Sequence, residues 1–272
     1  MLIETRDPLL LGRESEPALN FKQGDIDQGA WAGQRFLWIE DRPAIELSFW
    51  CGTCPFLFKR LEGASRTLSI PELADRLAVG IAGIDVEVVS AFADLLPSGL
   101  YQPLLTTIEP KLVFPMKPGD YFADEQVATW NVERFWGLPQ YPQTPYYRTF
   151  ETAVSRDAHL YEFVVPMVPP NWNDLMRVAA MANQLAHSGK PTAVAVSTLD
   201  VCGPAMSVGT RDFYQHWGLT HFLLDGHHKL QAAAELGVPL QLLSLLAIDF
   251  SLADIDQIQK IPQLLDQPPA TR

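Results

Sequence analysis

The segment of residues 222–237 constrains the fold most, because its pattern changes from strand-like to helical within two residues. The apolar run Phe-Leu-Leu is typical of a buried strand, and Asp225 and Gly226 after it have the composition of a turn. Helical spacing then continues to Gly237, a residue type that commonly ends helices. The pattern predicts a strand, a sharp turn, a helix at residues 227–236 and a further strand at residues 240–246.

The residues before this segment also alternate between strand-like and helical patterns. Residues 163–167 and 193–197 are predicted as short strands. Between them, the Asn-Asp pair at residues 173–174 is predicted to cap a helix that runs to about His187. We therefore predict the α/β (α+β) fold class.

The first half of the chain is also predicted to mix strands and helices. Strand-like runs lie at residues 35–40 and 44–50. Helical patterns lie at residues 69–79, which open with a capping-box pattern at Ser69, and at residues 86–96. These patterns identify no particular fold.

Residues 109–145 hold many of the 22 prolines of the chain. This density excludes a long helix, because each proline removes a backbone donor and clashes with the preceding turn. Interleaved aromatic side chains could stack a base or a sugar, but we expect them to fill a core that lacks regular packing. They are Trp130, Phe135, Trp136, Tyr141, Tyr146 and Tyr147. We predict three parts: residues 1–155, residues 156–250, and a terminal helix and tail at residues 251–272.

Charge and hydropathy exclude several classes of protein. Twenty Lys and Arg against 32 Asp and Glu give a net charge of −12, which disfavours binding to a nucleic-acid backbone. The most apolar stretch, residues 238–248, is too short to span a bilayer and contains Gln241 and Ser244. The first residues show no secretory pattern, and three Cys do not make a disulfide framework. We expect a cytoplasmic protein with no nucleic-acid and no membrane partner.

The predicted turn and helix start combine features of an anion site. The first turn of a helix presents unpaired N–H groups and a partial positive charge. His227, His228 and Lys229 add donors there, and Gly226 would let a phosphate approach closely. Asp225 could orient a histidine, hold a metal ion beside the phosphates, or cap the helix. The alternative is an ordinary turn followed by a solvated helix start.

The distribution of histidine favours a functional site over that alternative. All six His lie between residues 159 and 228, and four of them surround the turn: His216, His221, His227 and His228. This clustering favours an anion-binding or catalytic site.

Residues 225–233, Asp-Gly-His-His-Lys-Leu-Gln-Ala-Ala, resemble the signature of the ParB/sulfiredoxin superfamily in its DGHHR-type, kinase-like version. The segments at residues 165–170 and 187–196 follow the order of strand, helix, Gly turn and strand usual there. The resemblance covers about residues 160–250. It does not imply a ParB-type CTP clamp, because the turn differs from the Gly-Glu-Arg-Arg type of ParB. It does not imply sulfiredoxin chemistry, because His227 stands where sulfiredoxin has its catalytic Cys. The helix-turn-helix module of ParB is not evident either.

The resemblance implies a nucleotide site at this turn. Gly226, His227, His228 and Lys229 would contact the phosphates of ATP, ADP or CTP, with Mg²⁺ as counter-ion. The candidate catalytic residues are Asp225, His228 and Glu162, the last as an acidic base. We expect nucleotide-dependent phosphoryl transfer to a small-molecule acceptor, or NTP hydrolysis. The alternatives are a non-catalytic nucleotide-sensing or partner-binding module, and a thiol redox protein.

The last alternative rests on Trp50-Cys-Gly-Thr-Cys-Pro55, which follows a predicted strand and precedes a possible short helix at residues 56–61. This order resembles a thioredoxin-type site, where a helix N-terminus lowers the pKa of the first Cys. Zn²⁺ bound by Cys51 and Cys54 would need two more ligands, and Cys202 is the only other Cys. Structural thiols, a redox pair and a metal site all stay open, and we expect the two sulfurs to lie close together.

Overall fold

The computed structural model describes residues 1–24, 33–130, 142–187, 189–205 and 214–267, which form an α+β structure and confirm the predicted class. The strands are β1 (Leu2–Thr5), β2 (Leu9–Leu11), β3 (Leu19–Gln23), β4 (Arg35–Ile39), β5 (Arg42–Leu47), β6 (Phe58–Arg60), β7 (Gly99–Ile108), β8 (Lys111–Val113), β9 (Tyr146–Ser155), β10 (Ala158–Pro166), β11 (Thr192–Cys202), β12 (Gln215–Asp225) and β13 (Leu240–Ala247). The helices are α1 (Ala74–Val79), α2 (Val86–Ala93), α3 (Glu125–Trp130), α4 (Leu175–Ala186), α5 (His227–Leu236), α6 (Ile255–Ile258) and α7 (Ile261–Leu265).

A large mixed sheet forms the centre of the molecule. Its order is β1-β7-β13-β11-β12-β10-β9-β8, with β2 also paired to β7. At the centre, β10 runs parallel to β12, whereas β11 is antiparallel to β12 and parallel to β13. The predicted strands at residues 163–167 and 193–197 fall on β10 and β11, which are both longer than expected and buried along nearly their whole length.

The pairing of strands crosses the predicted boundary between the first two parts of the chain. The expected boundary after residue 155 falls between β9 and β10, which pair with each other. Strand β7, from the first part, pairs with β13. The sheet is thus built from residues on both sides of that boundary.

A second, four-stranded sheet contains β3, β4, β5 and β6 in chain order, all antiparallel. It confirms the two predicted N-terminal strands. The helix expected at residues 56–61 is wrong, since residues 58–60 pair with β5 as β6.

The sheets are joined by a buried ion pair. Arg35 of β4 donates from Nη1 to Asp200 of β11 at 3.1 Å and to the Ser48 carbonyl at 3.0 Å, and from Nη2 to the Phe250 carbonyl at 2.5 Å. Both charged side chains are buried. The guanidinium therefore fixes the small sheet to one end of β11.

Helix starts follow local side-chain chemistry where a cap is available. Asp174 caps α4 as predicted, because its carboxylate accepts from the backbone N–H groups of residues 176 and 177. The capping box at Ser69 is wrong: a 3₁₀ turn over Pro71–Leu73 begins after Ile70, and α1 follows it. The terminal helix is divided into α6 and α7, and Pro262 lies in the first turn of α7.

The two faces of the large sheet pack against different elements. One face contributes Val194, Phe222 and Leu224 to a core shared with the small sheet and α2. On the other face, α5 covers one apolar cluster through Leu230 and Ala233, and α6 and α7 cover another. The helix that carries the candidate site is thereby fixed to the sheet.

Of the aromatic residues singled out in the sequence, Trp130, Tyr146 and Tyr147 are buried, as expected for a core role. Phe135, Trp136 and Tyr141 lie outside the described residues. None of the helices in the described ranges is long and apolar enough to cross a membrane.

Candidate functional site

The strand, turn and helix predicted at residues 222–237 are confirmed. Strand β12 ends at Asp225, Gly226 follows with φ +100°, and α5 runs from His227 until Gly237 ends it. A Cβ on Gly226 would lie 2.7 Å from the Cβ of Ala193, so the turn packs directly on β11. Glycine is needed here for its left-handed backbone and for this contact.

Lys229 has a structural position. The sequence predicts a solvated or ligand-facing side chain; the solvated position is wrong, because Lys229 is only 8% exposed, and its contact with phosphate stays a prediction. Its Nζ donates to the Thr192 carbonyl at 2.9 Å and to Asp225 Oδ2 at 3.0 Å. The ion pair holds the end of β12 against the start of β11 and, with the Thr192 carbonyl, uses two of the three ammonium protons.

The ion pair with Lys229 also bears on the role of Asp225, which the sequence left open between orienting a histidine, holding a metal ion and capping the helix. Its carboxylate faces Lys229, and no side chain of the described part of the chain caps α5. The helix therefore begins with backbone N–H groups that no side chain in this part of the chain occupies.

His227 is buried, with 3% of its surface exposed, at the first position of α5. Its Nε2 accepts from the Met167 backbone N–H at 3.1 Å. Burial lowers the pKa of His227 to about 4, so the ring is neutral at pH 7 and its proton lies on Nδ1. Within the described ranges this buried Nδ1 has no hydrogen-bond partner. Among the described residues it is a fixed donor without an acceptor.

His228 is half-buried and has a similar tautomer. Its Nε2 accepts from the Asp174 backbone N–H at 3.3 Å, which leaves the proton on Nδ1 in the neutral ring. Burial and then the Arg177 charge lower the pKa of His228, although Asp174 and Asp225 oppose this effect. The ring is therefore a neutral donor near pH 7.

The loop between β10 and α4 packs over the start of α5. Asn173 donates from Nδ2 to Gln231 Oε1 at 2.8 Å and to the His227 carbonyl at 3.4 Å. Next to it in the loop, the Trp172 ring is 57% exposed, and the Arg60 guanidinium lies 5.1 Å from the ring centroid. The loop thus carries an exposed aromatic ring at the residue before Asn173, with the Arg60 guanidinium over the ring.

Glu162 lies elsewhere, in a polar row that crosses the large sheet. The row consists of Thr149, Glu162, His221, Ser197 and Ser244, on five adjacent strands. Thr149 donates to Glu162 Oε2 at 2.5 Å, and Glu162 Oε1 lies 3.1 Å from His221 Nε2. His221 Nδ1 lies 2.6 Å from Ser197 Oγ, which is 2.5 Å from Ser244 Oγ.

The polar row is enclosed by the sheet and its helices. His221 lies between Leu219 and Leu223 on one face of β12, and these belong to the clusters under the terminal helices and under α5. His221 is 0% exposed and Glu162 is 2% exposed. Burial raises the pKa of Glu162, but hydrogen bonds from His221 and Thr149 outweigh it and hold that pKa below its ordinary value. The row stabilises the sheet as a satisfied buried network.

The three candidate catalytic residues are not brought together. His221, the partner of Glu162, precedes Asp225 by four residues on β12, which is about 13 Å along an extended strand. Glu162 is therefore remote from the turn, whereas Asp225 and His228 flank it. Sequence reasoning missed Ser197 and Ser244 of the row. The available signal was a polar residue inside each of two adjacent apolar strands.

Cys51 and Cys54 lie in a turn after β5. All three thiols of the chain are free, with Cys51 exposed and Cys54 partly buried. The Cys51 and Cys54 thiols each shift the pKa of the other, in agreement with the expected proximity of the two sulfurs. No group of three or more His, Cys, Asp or Glu placed to hold a metal ion occurs in the described ranges.

Comparisons with protein-family models, curated proteins and solved structures give no match to this chain. The resemblance of residues 160–250 to the ParB/sulfiredoxin superfamily stays a prediction from the motif.

Proposed function

We propose that the protein binds the phosphate groups of a nucleotide at the start of α5. The observation that carries this proposal is the Nδ1–H of His227, a buried donor without a partner in the described residues, at a helix start that no described side chain caps. A buried donor left without an acceptor costs about 1–3 kcal/mol. An anionic oxygen seated there would remove that cost and gain from the helix dipole.

The described contacts supply a set of donors for such an anion. The first backbone N–H groups of α5 are joined by Nδ1–H of His227 and Nδ1–H of His228. Both rings are held by backbone N–H groups of the loop over the helix, so their donors are oriented before a ligand arrives. Lys229 acts indirectly in this proposal, since it fixes Asp225 and the turn.

A nucleotide fits this surrounding better than free phosphate. Trp172 presents an exposed ring on the loop whose next residue, Asn173, contacts His227 and α5. A base stacked on an aromatic ring contributes about 1–3 kcal/mol. Phosphates at the helix start and a base on Trp172 would use both features.

The metal expected with a nucleotide, Mg²⁺, needs few protein ligands. It is commonly held by one or two carboxylates together with the phosphates themselves. Asp225 and Asp174 are the carboxylates near His228. Asp174, with 55% of its side chain exposed, fits that supporting role, in which the ion would neutralise phosphate charge, whereas one oxygen of Asp225 is already paired with Lys229.

The activity we propose is phosphoryl transfer or nucleotide hydrolysis, with the phosphates held by Nδ1–H of His227 and of His228 and with Asp225 and His228 as the candidate catalytic groups at the turn. Glu162 has no part in it, since its carboxylate is committed to His221. Turnover distinguishes this activity from a nucleotide sensor, which would bind without releasing phosphate.

The test is calorimetric titration of the full chain with ATP, ADP, CTP and GTP, with and without Mg²⁺. Inorganic phosphate release is measured in parallel. His227→Gln keeps a side-chain acceptor near Nε2 but removes the Nδ1 donor, and His228→Gln does the same at the second ring. One charge-assisted hydrogen bond contributes about 1.5–3 kcal/mol, so each variant should lose about ten- to a hundredfold in affinity.

The matched control is His187→Gln at the end of α4, which should leave affinity unchanged. Two results contradict the proposal: a parent protein that binds none of these nucleotides at millimolar concentration, or His227→Gln and His228→Gln proteins that bind like the parent.

A further inference from the structure

The cysteine turn, residues 50–54, is held by backbone contacts on two sides. The Gly52 carbonyl accepts from the Gly203 N–H at 2.9 Å, just beyond the end of β11. The Thr53 carbonyl accepts from the Trp130 indole N–H at 3.2 Å. Gly52 has φ +66°, a backbone conformation that favours glycine. The turn is thus anchored while Cys51 remains exposed to solvent.

The two thiols of the turn differ in their surroundings. Cys51 is exposed, whereas Cys54 is partly buried and its thiol contacts that of Cys51. Burial, followed by the hydrogen bond with Cys51, raises the pKa of Cys54 to about 12. Burial also raises the pKa of Cys51, but hydrogen bonds from Cys54 and Thr53 outweigh it and lower that pKa. The thiolate therefore forms first on the accessible sulfur.

We propose that Cys51 and Cys54 form a redox-active dithiol that reduces accessible disulfides, with Cys51 as the attacking thiol and Cys54 as the resolving thiol. This second activity is independent of the phosphate site. The Cys51 thiolate attacks one sulfur of a disulfide R–S–S–R′, so that a mixed disulfide forms and R–S⁻ leaves. Cys54 then loses its proton and attacks Cys51 Sγ, which forms the Cys51–Cys54 disulfide and releases R′–S⁻.

The step balances in electrons and protons. The dithiol loses two electrons and two protons, and the substrate disulfide gains them as two thiols. The proton of Cys51 and the proton of Cys54 end on the two leaving sulfurs. Oxidised substrate is the only co-reactant.

Cys202 supplies an internal control. It is buried at the end of β11, and burial raises its pKa well above the ordinary value. A buried, protonated thiol is a poor nucleophile. Cys51, and not Cys202, should therefore react with an external disulfide.

The experiment uses the reduced full chain with oxidised glutathione at pH 7. The reaction is stopped by alkylation and the products are mapped by peptide mass spectrometry. The parent should form the Cys51–Cys54 disulfide and release both halves of the glutathione as thiol. Cys54→Ser should stop at a glutathione adduct on Cys51, and Cys51→Ser should react at least tenfold more slowly. Cys202→Ser should behave like the parent.

Circular dichroism of every variant checks that it is folded. The proposal is overturned if the folded Cys51→Ser protein reacts at the parental rate, or if the parent yields no Cys51–Cys54 disulfide. Zinc bound stoichiometrically by both thiols in the purified protein would overturn it as well. None of these outcomes changes the nucleotide titrations, so the two proposals fail separately.

Discussion

Replacement of Lys229 distinguishes a phosphate ligand from a structural ion pair. Lys229→Met keeps most of the side-chain volume and removes the ammonium group, which donates to Asp225 and to the Thr192 carbonyl. The side chains of the pair are 9% and 15% exposed, so the Asp225 charge would be left with little solvent. Breaking a buried pair in this way costs about 3–5 kcal/mol.

The residual exposure of Asp225 places the expected loss near the lower bound, at about 3 kcal/mol of the free energy of unfolding. A loss of that size lowers the melting temperature by about 6–12 °C in a chain of this length. The double variant Asp225→Asn/Lys229→Met removes the uncompensated charge, so it should recover a large part of the lost stability. Nucleotide affinity of the folded Lys229→Met protein should stay within about threefold of the parent, since its Nζ makes no direct contact in the proposed site.

The assays are chemical denaturation for the free energy of unfolding and calorimetry for affinity. A Lys229→Met protein that melts like the parent and loses affinity more than tenfold would refute this reasoning. Lys229 would then bind phosphate directly, as the motif alone implies. A double variant less stable than Lys229→Met would refute the ion-pair argument in another way, because the cost would not lie in the unpaired charge.

Three further predictions concern stability measured by chemical denaturation. Glu162→Gln should cost about 1.5–3 kcal/mol at pH 7. The pKa of Glu162 is lower in the folded protein than its ordinary value of 4.5, so its contribution to the free energy of unfolding is present above pH 4.5 and is lost as pH falls through the folded pKa. The stability difference between Glu162→Gln and the parent should therefore shrink on acidification. Gly226→Ala should cost about 2–4 kcal/mol, because the backbone has φ +100° and the new methyl would meet Ala193; a neutral effect would show that the turn can relax. Arg35→Met should cost about 3–5 kcal/mol by leaving Asp200 buried without its cation, and a loss under 1 kcal/mol would contradict the linking role of this pair.

Local patterns in the sequence determined the elements around the candidate site. The break at Asp225 and Gly226, the helix that Gly237 ends and the cap at Asp174 were all predictable. Each depends on interactions within a few residues, such as a carboxylate that accepts from the next turn or a glycine that adopts a positive φ. The α+β class follows from the same alternation of strand and helix patterns.

The position of Lys229 shows what local patterns leave open. In the sequence, a Lys in the first turn of a helix beside two histidines resembles a phosphate ligand. In the structure the Thr192 carbonyl, 37 residues away in the chain, accepts a hydrogen bond from Lys229, and Asp225 forms an ion pair with the same ammonium group. The partner that decides the role is brought there by β11.

Only the tertiary structure places Glu162 opposite His221 and away from the turn. Their contact joins residues 59 apart and depends on β10 pairing with β12 in one register. The polar row continues through Ser197 and Ser244 for the same reason. A strand pattern in the sequence determines which side chains share a face of the sheet. Strand order and register are determined by the packing of the whole chain, because the contacts that stabilise one order over another join residues far apart in sequence.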